Sequence, residues 1–180
     1  MSQDLSKGAS DNEVLIAAAR TDNEELIAEV FERGQYDINC TDPFETLPYT
    51  TRTHLFFYFF PLILSSSVAH GSTDVLELIL SDDNCDVDPI NHLDKATPLH
   101  LAAKIEHAAL RFHICESLLD AGADISIKDK HGVLAVDYVP AEDTKLRDLF
   151  RKSQAQANIG LDDVANDDDD DDGPGSGSDE

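Results

Sequence analysis

Residues 97–107 read Thr-Pro-Leu-His-Leu-Ala-Ala-Lys-Ile-Glu-His, and residues 118–128 read Leu-Leu-Asp-Ala-Gly-Ala-Asp-Ile-Ser-Ile-Lys, with an apolar helical stretch between them. Thr97 is placed to N-cap a helix, its hydroxyl accepting from the orphan N–H groups of the first turn. Pro98 suits the first helical position, where its missing N–H costs nothing. Leu99, Ala102 and Ala103 put a narrow apolar stripe on one face, which lets a neighbouring helix approach closely. A second helix is predicted over about 108–120, with Leu110, Ile114, Leu118 and Leu119 at helical spacing, and Gly122 stands where a helix end wants positive φ. The alternating Ala-Asp-Ile-Ser-Ile beyond it leads to a turn at Asp129-Lys130-His131-Gly132. Two short helices and a projecting finger cannot bury their apolar faces alone, so this unit requires similar neighbours on each side.

The string resembles an ankyrin repeat, with Thr97, Pro98, Leu99, His100 and Gly122 as the structural motif. Weaker copies flank it. Asn12 to Asn39 contains Ala18-Ala19-Arg20-Thr21-Asp22, an apolar run around Leu26, Ile27 and Val30, then Gly34 and Asp37-Ile38-Asn39. Val68-Ala69-His70-Gly71, followed by Asp74 to Leu80, supplies the second half of another copy. Gly132 to Tyr138 aligns with Lys95 to Leu101, at a spacing longer than the ~33 residues usual for such repeats. The excess is assigned to the helix around Ala108 to His113. Pro140 ends the fourth short helix, and Asp143 to Ala157 reads as a capping helix with Leu146, Leu149 and Phe150 inward. The resemblance covers about residues 11–157 and implies an all-α solenoid of about four helix-pair repeats, caps included. Residues 1–10 and 158–180 are expected to be disordered flanks.

One segment breaks the pattern, an anomalous insert at about 43–67. Where a helix-opening motif is due, the chain has Pro43 to His54, then Leu-Phe-Phe-Tyr-Phe-Phe-Pro-Leu-Ile-Leu at 55–64 and three serines. The apolar run is too short to span a membrane and is interrupted by Pro61. It is internal and has no basic leader, so it does not read as a signal peptide. Two readings stay open. One is a genuine buried helix or loop packed on the repeats, whose aromatics would be an aggregation hazard if exposed. The other is a gene-structure artefact. In another frame, Glu45 to Arg52 can encode Thr-Ala-Leu-His-Tyr-Ala, the missing motif, and the pyrimidine-rich codons of the following Phe, Leu, Pro and Ser residues suit a translated intron. Sequencing the transcript separates the two.

The chain carries a formal charge of −24, of which residues 162–180 contribute ten acids and no bases. The remaining −14 would repel nucleic-acid backbones and anionic membranes, so neither is an expected partner. The run Asp167–Asp172 cannot bury apolar area. It is either a solubilising tail or a lure for a basic partner, effective within the ~8 Å screening length at physiological salt.

Cys40, Cys85 and Cys115 lack CxxC spacing, which argues for free thiols in a reducing compartment and against structural zinc. The histidines are absorbed by the repeat pattern: the resemblance gives His100 structural hydrogen bonds and places His107 before the second helix, while His113 is expected near solvent. Asp82-Asp83-Asn84-Cys85-Asp86 lacks the spaced ligands and closing Glu of a calcium loop. No nucleophile comes with a base, and no glycine-rich loop follows a strand. No metal, no cofactor and no enzymatic activity are expected.

What the resemblance implies instead is a protein partner on the concave surface, formed by finger tips and the exposed edges of the first helices. Carried over by motif position, that surface comprises Arg20, Thr21, His70, Lys104 and Ile105, with His92, Leu93, Lys130 and His131 from the fingers. The expectation is a monomeric scaffold or chaperone of cytoplasm or nucleus. Its plan is similar to that of fungal ankyrin-repeat chaperones of a basic ribosomal protein, and an adaptor subunit in protein turnover or signalling is the alternative.

Overall fold

The computed structural model describes residues 10–40, 63–91 and 94–162. Three α-helix pairs follow one another: α1 (Asp11–Thr21) with α2 (Glu24–Arg33), α3 (Ile63–His70) with α4 (Thr73–Leu80), and α5 (Pro98–Ala103) with α6 (Ala108–Asp120). A 3-10 turn, Ala135–Tyr138, and a long α7 (Thr144–Asp162) complete the stack of described elements. First helices pack on first helices and second on second, so one continuous core runs from Leu15 and Ile27 through Leu64, Leu76 and Ile79 to Leu99, Ile114, Leu118, Leu146 and Phe150. Among the described residues the fingers form no strand, only the isolated antiparallel bridge Lys128–Leu134.

The helix ends show why these residues stop and start where they do. Ser10 and Glu13 form a reciprocal capping box at α1. Asn23 Oδ1 accepts from the Leu26 amide at 3.1 Å, and His107 Nδ1 accepts from the Leu110 amide at 3.2 Å. Ser72, at the equivalent place before α4, makes no side-chain cap. Asp22 supplies one from the preceding repeat, its Oδ1 accepting from the Val75 amide at 3.2 Å. Neighbouring fingers are laced in the same fashion: Asn39 Oδ1 accepts from the Asp86 amide at 2.8 Å, and Asp88 Oδ2 from the Asp124 amide at 2.9 Å. Each such bond is worth about 0.5–1.5 kcal/mol net and exists only when both repeats are folded.

Several expectations are corrected by this architecture. Thr97 does precede α5, but its hydroxyl lies 2.9 Å from His100 Nδ1 instead of capping a backbone N–H. The insert at about 43–67 is not wholly outside the repeats. Residues 43–62 lie outside the described residues, but residues 63–67 build most of α3, and Ile63, Leu64, Ser65, Ser66 and Ser67 are all buried. Counting from the N-cap positions Ser72 and His107, Leu64 takes the place of Leu99, Ser65 of His100 and Ser67 of Ala102. The fourth repeat's first helix shrinks to one 3-10 turn because Pro140 follows so soon. The capping helix runs to Asp162, past Ala157. The extra length placed in the third pair is present: α6 has 13 residues, against 10 in α2 and 8 in α4. Gly122 follows the end of α6 with φ 94°, as its position requires.

Candidate functional site

The row of first-helix ends is set by a repeated local geometry. Thr21, His70 and Ile105 each stand two residues before the N-cap of the second helix, and Arg20 and Lys104 stand three before it. Since α1 packs on α3 and α3 on α5, these positions line up across the three pairs. Thr21, His70 and Lys104 are exposed, while Arg20 and Ile105 are half-buried. The Thr21 hydroxyl donates to the Ala17 carbonyl at 2.9 Å, and His70 Nδ1 lies 2.8 Å from the Ser66 carbonyl. His92 and Leu93, expected on a finger tip, lie outside the described residues.

The C-terminal half of this surface is tied together by residues that the sequence reading did not single out. Lys104 Nζ sits 4.0 Å above the centroid of the Tyr138 ring, a contact worth about 0.5–1 kcal/mol at an exposed site. The Tyr138 hydroxyl donates to Asp129 Oδ2 at 2.5 Å. Asp129 Oδ1 accepts from the amides of His131 (2.8 Å) and Val133 (3.0 Å), which fixes the turn that presents Lys130 and His131. The Tyr138 hydroxyl and these amides hold the Asp129 carboxyl at about 2, and Asp129 in turn pushes the Tyr138 phenol up to about 12. Lys130 Nζ pairs with Asp94, and the Lys130 amide donates to the Asp94 carbonyl at 2.8 Å, joining two fingers. The signal that could have found Asp129 is its place opening a four-residue turn, where Asp bonds backbone amides two residues on.

Beneath that surface His100 is buried. The Thr97 amide donates to its Nδ1 at 3.2 Å, so the ring proton resides on Nε2, which donates to the Val133 carbonyl at 3.1 Å. Burial pulls the imidazole below its usual range, against the opposing pull of the Val133 carbonyl and Asp129. His100 therefore bolts the third repeat to the fourth as a neutral ring. Arg111, also buried, plays a similar part on the other side. Its guanidinium donates to Asp143 Oδ2 at 2.7 Å and to the Ile105 carbonyl at 2.6 Å, pinning the start of α7 to the end of the α5–α6 loop.

The second helices present a different electrostatic face. Glu24 has its carboxyl raised by nearby Asp74 first, with Asp22 and Glu77 adding to it. His113 Nε2 lies 3.4 Å from Glu77 Oε1. Acids thus bridge α2 and α4, while lysines concentrate at the later fingers and first-helix ends. No helix among the described residues is long and apolar enough to cross a membrane. Within those residues no three His, Cys, Asp or Glu side chains gather as a metal site would require.

Comparison with known proteins agrees with this geometry. The ankyrin repeat family model matches residues 94–130. An ankyrin repeat-containing protein of Saccharomyces cerevisiae is 29% identical over 160 residues, covering 82% of this chain and 80% of the relative. Among solved structures, the ankyrin repeat domain of Bcl-3, described as a unique member of the IκB protein family, superposes with a TM-score of 0.58 at 20% identity. That match covers 76% of this chain and 50% of the Bcl-3 chain, so this chain spans half the length of that neighbour and shares its fold.

Proposed function

We infer that this ankyrin-repeat protein is a non-enzymatic scaffold or chaperone that holds a basic protein partner on the edge formed by its first helices and fingers, with the acidic tail assisting. Ankyrin repeats are protein–protein interaction modules, and the alignment of Arg20, Thr21, His70, Lys104 and Ile105 in one accessible row is the observation that supports a partner there. The formal charge of −24, to which the aspartate run at 167–172 contributes, favours a basic partner over an acidic one. A negative surface steers a basic chain toward encounter and suppresses its capture by nucleic acid. The setting proposed is cytoplasm or nucleus.

Affinity purification with mass spectrometry, comparing the full chain with a chain ending at residue 161 and with a Thr21→Trp/His70→Trp variant that blocks the row by bulk, tests this reading. The expected result is a set of basic proteins that weakens at high salt, is depleted by truncation and is lost in the double variant. Partners retained unchanged without the tail would instead identify an adaptor in protein turnover or signalling. Partners unaffected by both changes would overturn the reading.

A further inference from the structure

Helix α7 has a face that the fold leaves uncovered. Leu146 and Phe150 are buried on one side, with Leu149 half-buried beside them. Helical spacing puts Lys145, Asp148, Arg151 and Lys152 on the opposite side, and all four are exposed. Arg147 is occupied elsewhere, donating to the carbonyls of Val139 at 2.9 Å and Pro140 at 3.4 Å. Asp148 accepts from Arg151 Nη1 at 2.5 Å, and neither Lys145 nor Lys152 makes a salt bridge among the described residues. Four of the chain's 13 Lys and Arg residues therefore fall within 145–152, in a molecule of formal charge −24.

We propose that the aspartate run Asp167–Asp172 of the same chain docks on this Lys145–Arg151–Lys152 face. The run begins five residues beyond the end of α7, and its reach matches the target. At ~1.5 Å per helical residue, Arg151 and Lys145 lie roughly 16 and 26 Å back from Asp162. An extended chain at ~3.3 Å per residue carries Asp167 and Asp172 roughly 17 and 33 Å from the same point. A tether this short sets an effective concentration on the order of millimolar. Screening over ~8 Å mutes the more distant negative charge of the body, while contacts with the helix face are spared.

This docking uses the same tail as the proposed function, but its test involves no partner, so the two can fail separately. The full chain and a variant with Asp167–Asp172 replaced by Asn are acetylated briefly at low salt. Modification of Lys145 and Lys152 is read by peptide mass spectrometry, with Lys95 and Lys128 as internal references. Removing the aspartates should raise labelling of Lys145 and Lys152 about threefold, in keeping with a few exposed ion pairs. The difference should vanish near 1 M salt, where the screening length is ~3 Å. Equal labelling of the two chains, a change at Lys128 in place of α7, or protection that grows with protein concentration would each overturn the proposal, the last by assigning the face to a second copy.

Discussion

At the residue scale, the joint between the third and fourth repeats rests on His100, Tyr138 and Asp129. His100→Ala removes the bonds to Thr97 and Val133 and leaves the amide of buried Thr97 without its acceptor, while the Val133 carbonyl keeps the Asp129 amide. The expected loss is about 2–3 kcal/mol in urea unfolding. The imidazole also confers a pH dependence whose sign is fixed. Its folded pKa is depressed, so between the unfolded value near 6.5 and the lower folded value the unfolded chain binds the extra proton. Stability conferred by neutral His100 is full above about pH 6.5 and declines as pH falls through the folded value; melts at descending pH should show this slope in the parent and a flatter one in His100→Ala. Arg111 is the second anchor. Its side chain is only 6% exposed and that of Asp143 15%, so Arg111→Ala, which strands a carboxylate and the Ile105 carbonyl, should cost about 3–5 kcal/mol in the same assay. His100 was legible because it falls within a motif. Arg111 was not, because a charged residue amid Leu110 and Ile114 reads as the solvated side of a helix, and its partner is 32 positions away.

Among the elements, α3 shows most plainly how a repeat tolerates a poor sequence. Three buried serines stand where the third repeat has His100, Leu101 and Ala102. The Ser67 hydroxyl donates within its own helix, to the Leu64 carbonyl at 2.8 Å. Ser67→Ala restores the residue present at position 102 and should stabilise the fold by about 0.5 kcal/mol, seen as a higher Tm, because alanine is the better helix former and leaves no buried hydroxyl. Gly71 gives the opposite expectation. It turns the chain between α3 and α4 with φ 71°, and an added Cβ would lie 2.9 Å from Leu110 Cδ2. Gly71→Ala should cost about 1–3 kcal/mol, from left-handed strain and displacement of Leu110 together. Asp22 adopts the same hand at φ 52° in the first repeat, and its side chain caps α4. The bounds of the third helix pair were legible because its proline, stripe and closing glycine agree, although Thr97 caps no backbone N–H. The start of α3 was not, since Ile63 to Ser67 has neither a capping residue nor an alternating polarity to mark it as the missing helix.

Taken whole, the molecule is a row of helix pairs fastened by few but repeated contacts: Asp22 to Val75, Asn39 to Asp86, Asp88 to Asp124 and His100 to Val133. Each crosses from one repeat to the next, so unfolding of any repeat removes bonds from its neighbour, and the array should melt cooperatively. Charge is distributed along this frame in two signs, acids between α2 and α4 and cations on the later fingers and α7. Composition announced the excess of acid, but only the fold could show where the scarce lysines and arginines gather. The docking edge proposed above consists of the ends of the first helices and the fingers. Hydrogen exchange of the full chain, free and bound to the basic protein it retains, tests that placement. Protection should appear around Thr21, His70, Lys104–Ile105 and Lys130–His131; protection confined to α2, α4 and α6, with those positions exchanging as in the free chain, would contradict it.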